Sequence, residues 1–179
     1  MYSALSSLLN FKIQEDAQYS VLSSQGPFEI RLYQRFVCAR MSLSGPYDEI
    51  MKIGSKYIQE YLEGNNFKVE KIDYPGCFFQ IMKDKCWELG IILPSNFTIY
   101  NAPKPINRMI RITEIPSAKI GCLSFKGHLS HDLFVKRGEE LKRWLDFKKN
   151  QVKGPLRVMK VSSFSLPFLR NYEVQFELF

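Results

Sequence analysis

Two glycines 82 residues apart, Gly45 and Gly127, stand at the same point of two stretches that repeat one plan. Each follows a long run with the period-two alternation of a half-buried strand, Phe28 to Leu43 in the first stretch and Met109 to Phe125 in the second. Each then leads into a segment with helical periodicity. One strand–helix–strand–strand unit leaves a face of its sheet bare, so two related units packed together, a duplicated α+β domain, is the economical arrangement. That repeat constrains the fold more than any single motif in the chain.

Local signals place the helices. The first has Pro46 where an N1 proline would sit and Asp48 and Glu49 in its first turn, where carboxylates complement the helix dipole. Ile50, Ile53, Tyr57, Tyr61 and Leu62 form its apolar stripe, and Gly64–Asn65–Asn66 stops it. The second starts after Ser130, places Leu133, Phe134, Leu141, Trp144 and Leu145 on one stripe, and ends near Lys148–Asn150. Gly54 and Gly138 fall at matching depths, and a glycine inside a helix costs about 1 kcal/mol, so the pair predicts close packing of each helix on a sheet. Further strands are expected at Lys68 to Asp73 with Cys77 to Met82, at Trp87 to Leu93, at Leu156 to Ser163 and at Tyr172 to Leu178. Residues 101–107, with two prolines, read as an extended linker between pseudo-repeats 19–100 and 108–179. Residues 1–18 read as a separate N-terminal arm. In the first strand, Phe28, Ile30 and Leu32 are expected on the buried face.

Composition excludes several function classes. With 179 residues and 45% apolar content, the chain can bury a core without disulfides or a structural metal. Cys38, Cys77, Cys86 and Cys122 are scattered, with no metal-ligand or CxxC spacing, and no metal is assigned. No apolar run approaches the roughly 20 residues of a bilayer span and no secretory leader is evident, so the expected location is cytoplasmic. The net charge of +7 suits an anionic partner. Its densest cluster, Lys136 to Lys149, is interleaved with Glu139, Glu140 and Asp146 as on a solvated helix face, so no nucleic-acid partner is expected, and a partner protein stays an open alternative.

The segment YSVLSSQGPFEIRLY at 19–33, LeuProSer at 93–95, AlaProLysPro at 102–105 leading into MIRITEIP at 109–116, PheLysGly at 125–127, GlyPro at 154–155 and PFLRNYEVQFEL at 167–178 together resemble the SOUL/haem-binding protein family. The resemblance implies duplicated βαββ units forming a distorted, barrel-like antiparallel sheet with two helices, a fold shared with GyrI-like and multidrug-sensing effector-binding domains. It also implies a non-enzymatic protein that binds a small amphipathic ligand, haem or another tetrapyrrole being the named one. The chain departs from the pattern at two places. Leu32 occupies the position of the histidine proposed as axial haem ligand in some members, and a KIAMTAPV-like stretch is replaced by Lys68 to Lys85. Any haem would then be held by apolar and ionic contact. His128 and His131, the only histidines, read as loop residues.

The family's tetrapyrrole contacts, on the first helix and the loop between the last two strands, correspond here to Tyr47, Met51, Ser55 and Ile58 with Leu166, Phe168 and Arg170. Lys56 and Arg170 could pair with carboxylates of the ligand. Met51 and Ile58 fit equally well as core residues, since apolar side chains at helical spacing usually are. Glu173 faces water if Tyr172, Val174 and Phe176 alone point inward; if the other face lines a cleft between the units, it becomes a cation anchor or general acid/base. No GxSxG, HExxH, P-loop or GxGxxG pattern is present. Three alternatives stand beside the tetrapyrrole reading: GyrI-like binding of cationic molecules, hydrolysis through a cleft glutamate, and a protein-interaction module.

Overall fold

The computed structural model describes residues 19–73, 78–83, 86–127, 130–160 and 171–179. The N-terminal arm, Cys77, His128, Leu166, Phe168 and Arg170 lie outside the described residues.

The strands are β1 (Tyr19–Gln25), β2 (Phe28–Tyr33), β3 (Phe36–Ser44), β4 (Phe78–Lys83), β5 (Cys86–Ile92), β6 (Arg111–Ile115), β7 (Ala118–Lys126), β8 (Arg157–Lys160) and β9 (Asn171–Glu177). Helix α1 (Tyr47–Leu62) follows β3 and α2 (His131–Phe147) follows β7. The sheet order is β1-β2-β7-β9-β8-β4-β5-β3-β6, and all neighbours run antiparallel. It is a curled half-barrel with both helices on one face: α1 packs on β3 and β5, α2 on β7 and β9. The two βαββ units are thus β3-α1-β4-β5 and β7-α2-β8-β9, joined side by side through β4 and β8.

Each long strand expected from the sequence is broken in two, and the pieces part company. Between β2 and β3 the chain turns at Gln34–Arg35, and β2 then pairs with β7 of the second unit. Pro116–Ser117 separates β6 from β7, and β6 pairs with β3 of the first unit. The units therefore exchange their leading strands. The pairing repeats between the units: Ser42 faces Glu88 as Ser124 faces Glu173, the serines keeping the offset of the glycines. Gly45 and Gly127, at φ +148° and +124°, give each chain the turn from sheet into helix that other residues rarely adopt.

The main core lies between helices and sheet and includes Ile50, Ile58 and Tyr61 of α1, Phe134, Leu141 and Leu145 of α2, and Leu89, Leu123 and Val174 beneath them. The α1 stripe is rotated from the expected one: Gly54 and Ile58 are buried and Ile53 is 42% exposed. Gly54 brings α1 against Leu89, where a Cβ would stand 2.7 Å from Leu89 Cδ2. Gly138 brings α2 against Leu156 in the same way. Ser130 caps α2 by accepting from the Leu133 amide, at 3.3 Å.

Two further readings change. Residues 101–107 are not an extended linker but a folded segment against the end of α1: Tyr61 Oη donates to the Pro103 carbonyl at 2.9 Å, and Pro105 bridges Asn66. Asn66, fully buried, accepts from the amides of Lys68 and Glu70 and donates to the carbonyls of Tyr61 and Glu70, which shapes a tight loop in which exposed Val69 takes φ +52°. Residues 68–73 accordingly form no strand.

Candidate functional site

The sheet face away from the helices carries a second, smaller core of Tyr33, Cys38, Ile81, Ile92, Ile120, Cys122 and Met159, which draws on both units. Strand β2 keeps Ile30 in the main core with Phe28 packed against it, as expected, and contributes to this second core through its other side. Arg31 and Tyr33 are buried there, whereas Leu32 is 36% exposed. The physical reason is the exchange of strands: with β1 on one side and β7 on the other, β2 is interior to the sheet, and its polar side finds ionic partners rather than water.

Those partners form a buried network. Arg31 Nη1 and Nη2 donate to Glu173 Oε2 and Oε1 at 2.9 and 2.7 Å, with both side chains under 10% exposed, at 6% and 7%. Arg31 Nε donates to Glu29 at 2.6 Å, and its guanidinium lies 4.4 Å from the centre of the Tyr19 ring. Ser124 Oγ and Gln175 Nε2 each donate to Glu173 at 3.0 Å. Burial, the largest single effect, would lower the Arg31 pKa; the Glu173 hydrogen bonds together with the fields of Cys122, Glu173 and Tyr33 outweigh it and hold the guanidinium above its ordinary value. Burial drives the Tyr33 phenol well above its ordinary range. The first unit's counterpart of Glu173 is Glu88, paired with Arg40, whose Nε also donates to Thr113 at 3.2 Å.

Beside this network, between the units, is a cavity of about 210 Å³. Its apolar wall is formed by Phe36, Ile81, Ile92, Ile115 and Met159; Tyr33, Arg40, Glu88, Arg157, Gln175 and Glu177 supply polar groups. Glu173 shares the same face of β9 but sits beyond Gln175, outside the lining. The Nε of Arg157 is sealed from solvent and has no hydrogen-bond partner among the described residues.

The residues expected to bind ligand on α1 are placed on the opposite face of the sheet from this cavity. Tyr47, half-buried at the start of α1, packs its ring 5.2 Å from Trp87 and 5.9 Å from Phe134, with His131 at 6.0 Å. His131 is therefore the first residue of α2 within an aromatic cluster, not a loop residue. Ile58 is 3% exposed in the main core, and Met51 packs at that core's margin. Ser55 is exposed, as is Lys56, which lies 3.9 Å from Glu60. Glu173 is buried rather than water-facing. No group of three His, Cys, Asp or Glu able to hold a metal occurs among the described residues. Reasoning from sequence missed Arg40, Arg157 and Gln175. The signal available was a charged or amide residue in the middle of an otherwise apolar strand, as in FVCARMSLS and NYEVQFE.

Two helices on one face of a curled antiparallel sheet, with a cavity on the other face at the junction of two like units, define a duplicated effector-binding-type fold. Solved structures share it: the C-terminal domain of EcmrR (TM-score 0.64, 15% identity, 90% of this chain and 98% of that one) and a hydrolase from Listeria innocua (TM-score 0.59, 8% identity, 88% and 94%). EcmrR in a DNA complex also matches, with TM-score 0.64 and 14% identity over 98% of this chain; the chain spans 63% of that protein's length. At such identities the likeness concerns the fold. No curated protein matches the sequence. The model of the SOUL heme-binding protein family matches residues 14–177, and the chain belongs to that family. It is a small-ligand-binding domain in class, and no helix among the described residues is long and apolar enough to cross a membrane.

Proposed function

We propose that this is a non-enzymatic domain that takes a small amphipathic molecule into the cavity between its two units. The observation that carries the reading is the cavity's construction: five apolar side chains from both units facing a few fixed polar groups, the composition that orients a partly polar organic ligand. Its volume, about 210 Å³, is below the roughly 300 Å³ at which pockets enclose drug-sized molecules, so the ligand here is smaller than a tetrapyrrole. Glu173 argues against both the cation-binding and the hydrolytic readings. A carboxylate that already accepts two guanidinium hydrogen bonds is neither an open cation anchor nor a free base.

Family membership supports a second reading, in which haem or another tetrapyrrole lies against the exposed side of α1. Tyr47, Met51, Ser55 and Lys56 would flank it, with Leu166, Phe168 and Arg170 from the loop and no histidine at position 32. Titration with haemin and with metal-free protoporphyrin, followed by absorbance and calorimetry, separates the two sites. Ile115→Trp fills the cavity and leaves α1 untouched. Cavity binding predicts that small aryl ligands lose affinity at least tenfold in this variant while tetrapyrrole affinity does not change. Equal small-ligand affinity in both proteins refutes the cavity site.

A further inference from the structure

We propose that the cavity selects an organic anion, a small aryl carboxylate or an acid of like shape, received by Arg157; this rests on the reading of the cavity as the ligand site. The argument is one of charge pairing. Four charged side chains line the cavity: Arg40, Glu88, Arg157 and Glu177. Arg40 is paired with Glu88. Glu177 is held by Lys153, whose Nζ lies 2.7 Å from Glu177 Oε1. No ion pair within 4.0 Å involves Arg157 among the described residues. Its position on β8 turns it, with Met159, to the cavity face, and Val158 between them to the main core.

A guanidinium keeps its proton in such surroundings and carries five N–H donors in a fixed fork. Burial lowers the Arg157 pKa, and the field of Glu177 only partly restores it. The Nε donor is shut off from water without an acceptor among the described residues. The surplus positive charge is met by a carboxylate, which accepts from the guanidinium N–H groups that line the cavity, while the sealed Nε takes no part. An ammonium ligand adds a like charge instead. The apolar wall of Phe36, Ile81, Ile92, Ile115 and Met159 then receives the ligand's ring.

The test uses three probes of one shape: 3-phenylpropionate, its amide and 3-phenylpropylamine, titrated calorimetrically into the full chain. The carboxylate is expected to bind at least tenfold more tightly than the amide, and the amine not at all. Arg157→Met should bring the carboxylate down to the affinity of the amide and leave the amide unchanged; Arg157→Lys should keep part of the preference. Ile115→Trp should abolish both. Amide or amine binding equal to the carboxylate, lost in Ile115→Trp, overturns the anion assignment and leaves the cavity site standing. Carboxylate affinity unchanged in Arg157→Met likewise overturns it. No binding of any probe at millimolar concentration overturns the cavity site and the anion assignment together.

Discussion

Arg31→Met is the sharpest test of how the two units are held together. The substitution keeps a linear side chain of similar reach and deletes both hydrogen bonds to Glu173, at 2.9 and 2.7 Å. Glu173 is then left 5% exposed with only the Ser124 hydroxyl and the Gln175 amide as donors. An uncompensated buried charge costs about 3–5 kcal/mol, because its desolvation is no longer offset by its partner. In a domain of 150–250 residues each kcal/mol is worth about 2–4 °C, so the melting temperature should fall by about 6–20 °C. The double variant Arg31→Met/Glu173→Leu removes both charges and fills the site with apolar atoms. It should recover most of that loss, since buried ion pairs replaced as a whole are often neutral in stability. Urea denaturation of the natural chain, Arg31→Met, Glu173→Leu and the double variant gives the coupling directly. A single variant that loses less than about 1 kcal/mol, or a double variant in which the two losses add, would refute the account of the network as a mutually dependent pair.

Other consequences follow from the packing. Gly54→Ala places a Cβ 2.7 Å from Leu89 Cδ2 at a fully buried side chain, and should destabilise by about 1–3 kcal/mol in chemical denaturation. Gly138→Ala meets half-exposed Leu156, which can rotate away, so its loss should be smaller by the same measurement. Val69, 81% exposed and at φ +52°, pays for a backbone region that β-branched residues avoid; Val69→Asn should raise the melting temperature by a few degrees, about 1 kcal/mol of relieved strain. Burial pushes the Cys38 thiol up from 9.0 to about 12 and raises Cys122 as well, so alkylation at pH 8 followed by mass spectrometry should label Cys86 while both buried thiols stay protected. Unfolded thiols ionise near 9.0 while the folded ones keep their protons. The unfolded state therefore binds fewer protons above that pH, and stability should decline as pH rises through 9 and beyond.

Much of the fold is legible along the chain because its signals are local. Pro46, the acidic first turn and Gly64 mark α1, Ser130 and Asp132 mark the start of α2, and the 82-residue offset marks the duplication. The exchange of strands is less visible. Pro116, which lacks an amide donor, does signal the break before β7, but Gln34–Arg35 carries no such mark before β3. Arg31 and Glu173 alternate with apolar neighbours as solvent-facing residues do, and only a partner 142 residues away makes them interior. The cavity is hidden for the same reason: its wall is assembled from short pieces of seven strands and their connections, none of which has a pattern of its own. The α1 residues assigned through family likeness share the opposite, helix-bearing side of the sheet, so likeness and cavity direct attention to different surfaces.

The traded strands have a further meaning for assembly. Two separate copies of such a unit, each lending its first strand to the other, would be a domain-swapped pair whose existence depends on concentration. Covalent succession removes that dependence. Residues 93–110 join the end of β5 to the start of β6, and one copy carries its own partner at an effective concentration that dilution cannot change. A chain cut in that segment should become a bimolecular complex, with melting that depends on protein concentration, while keeping every contact described above.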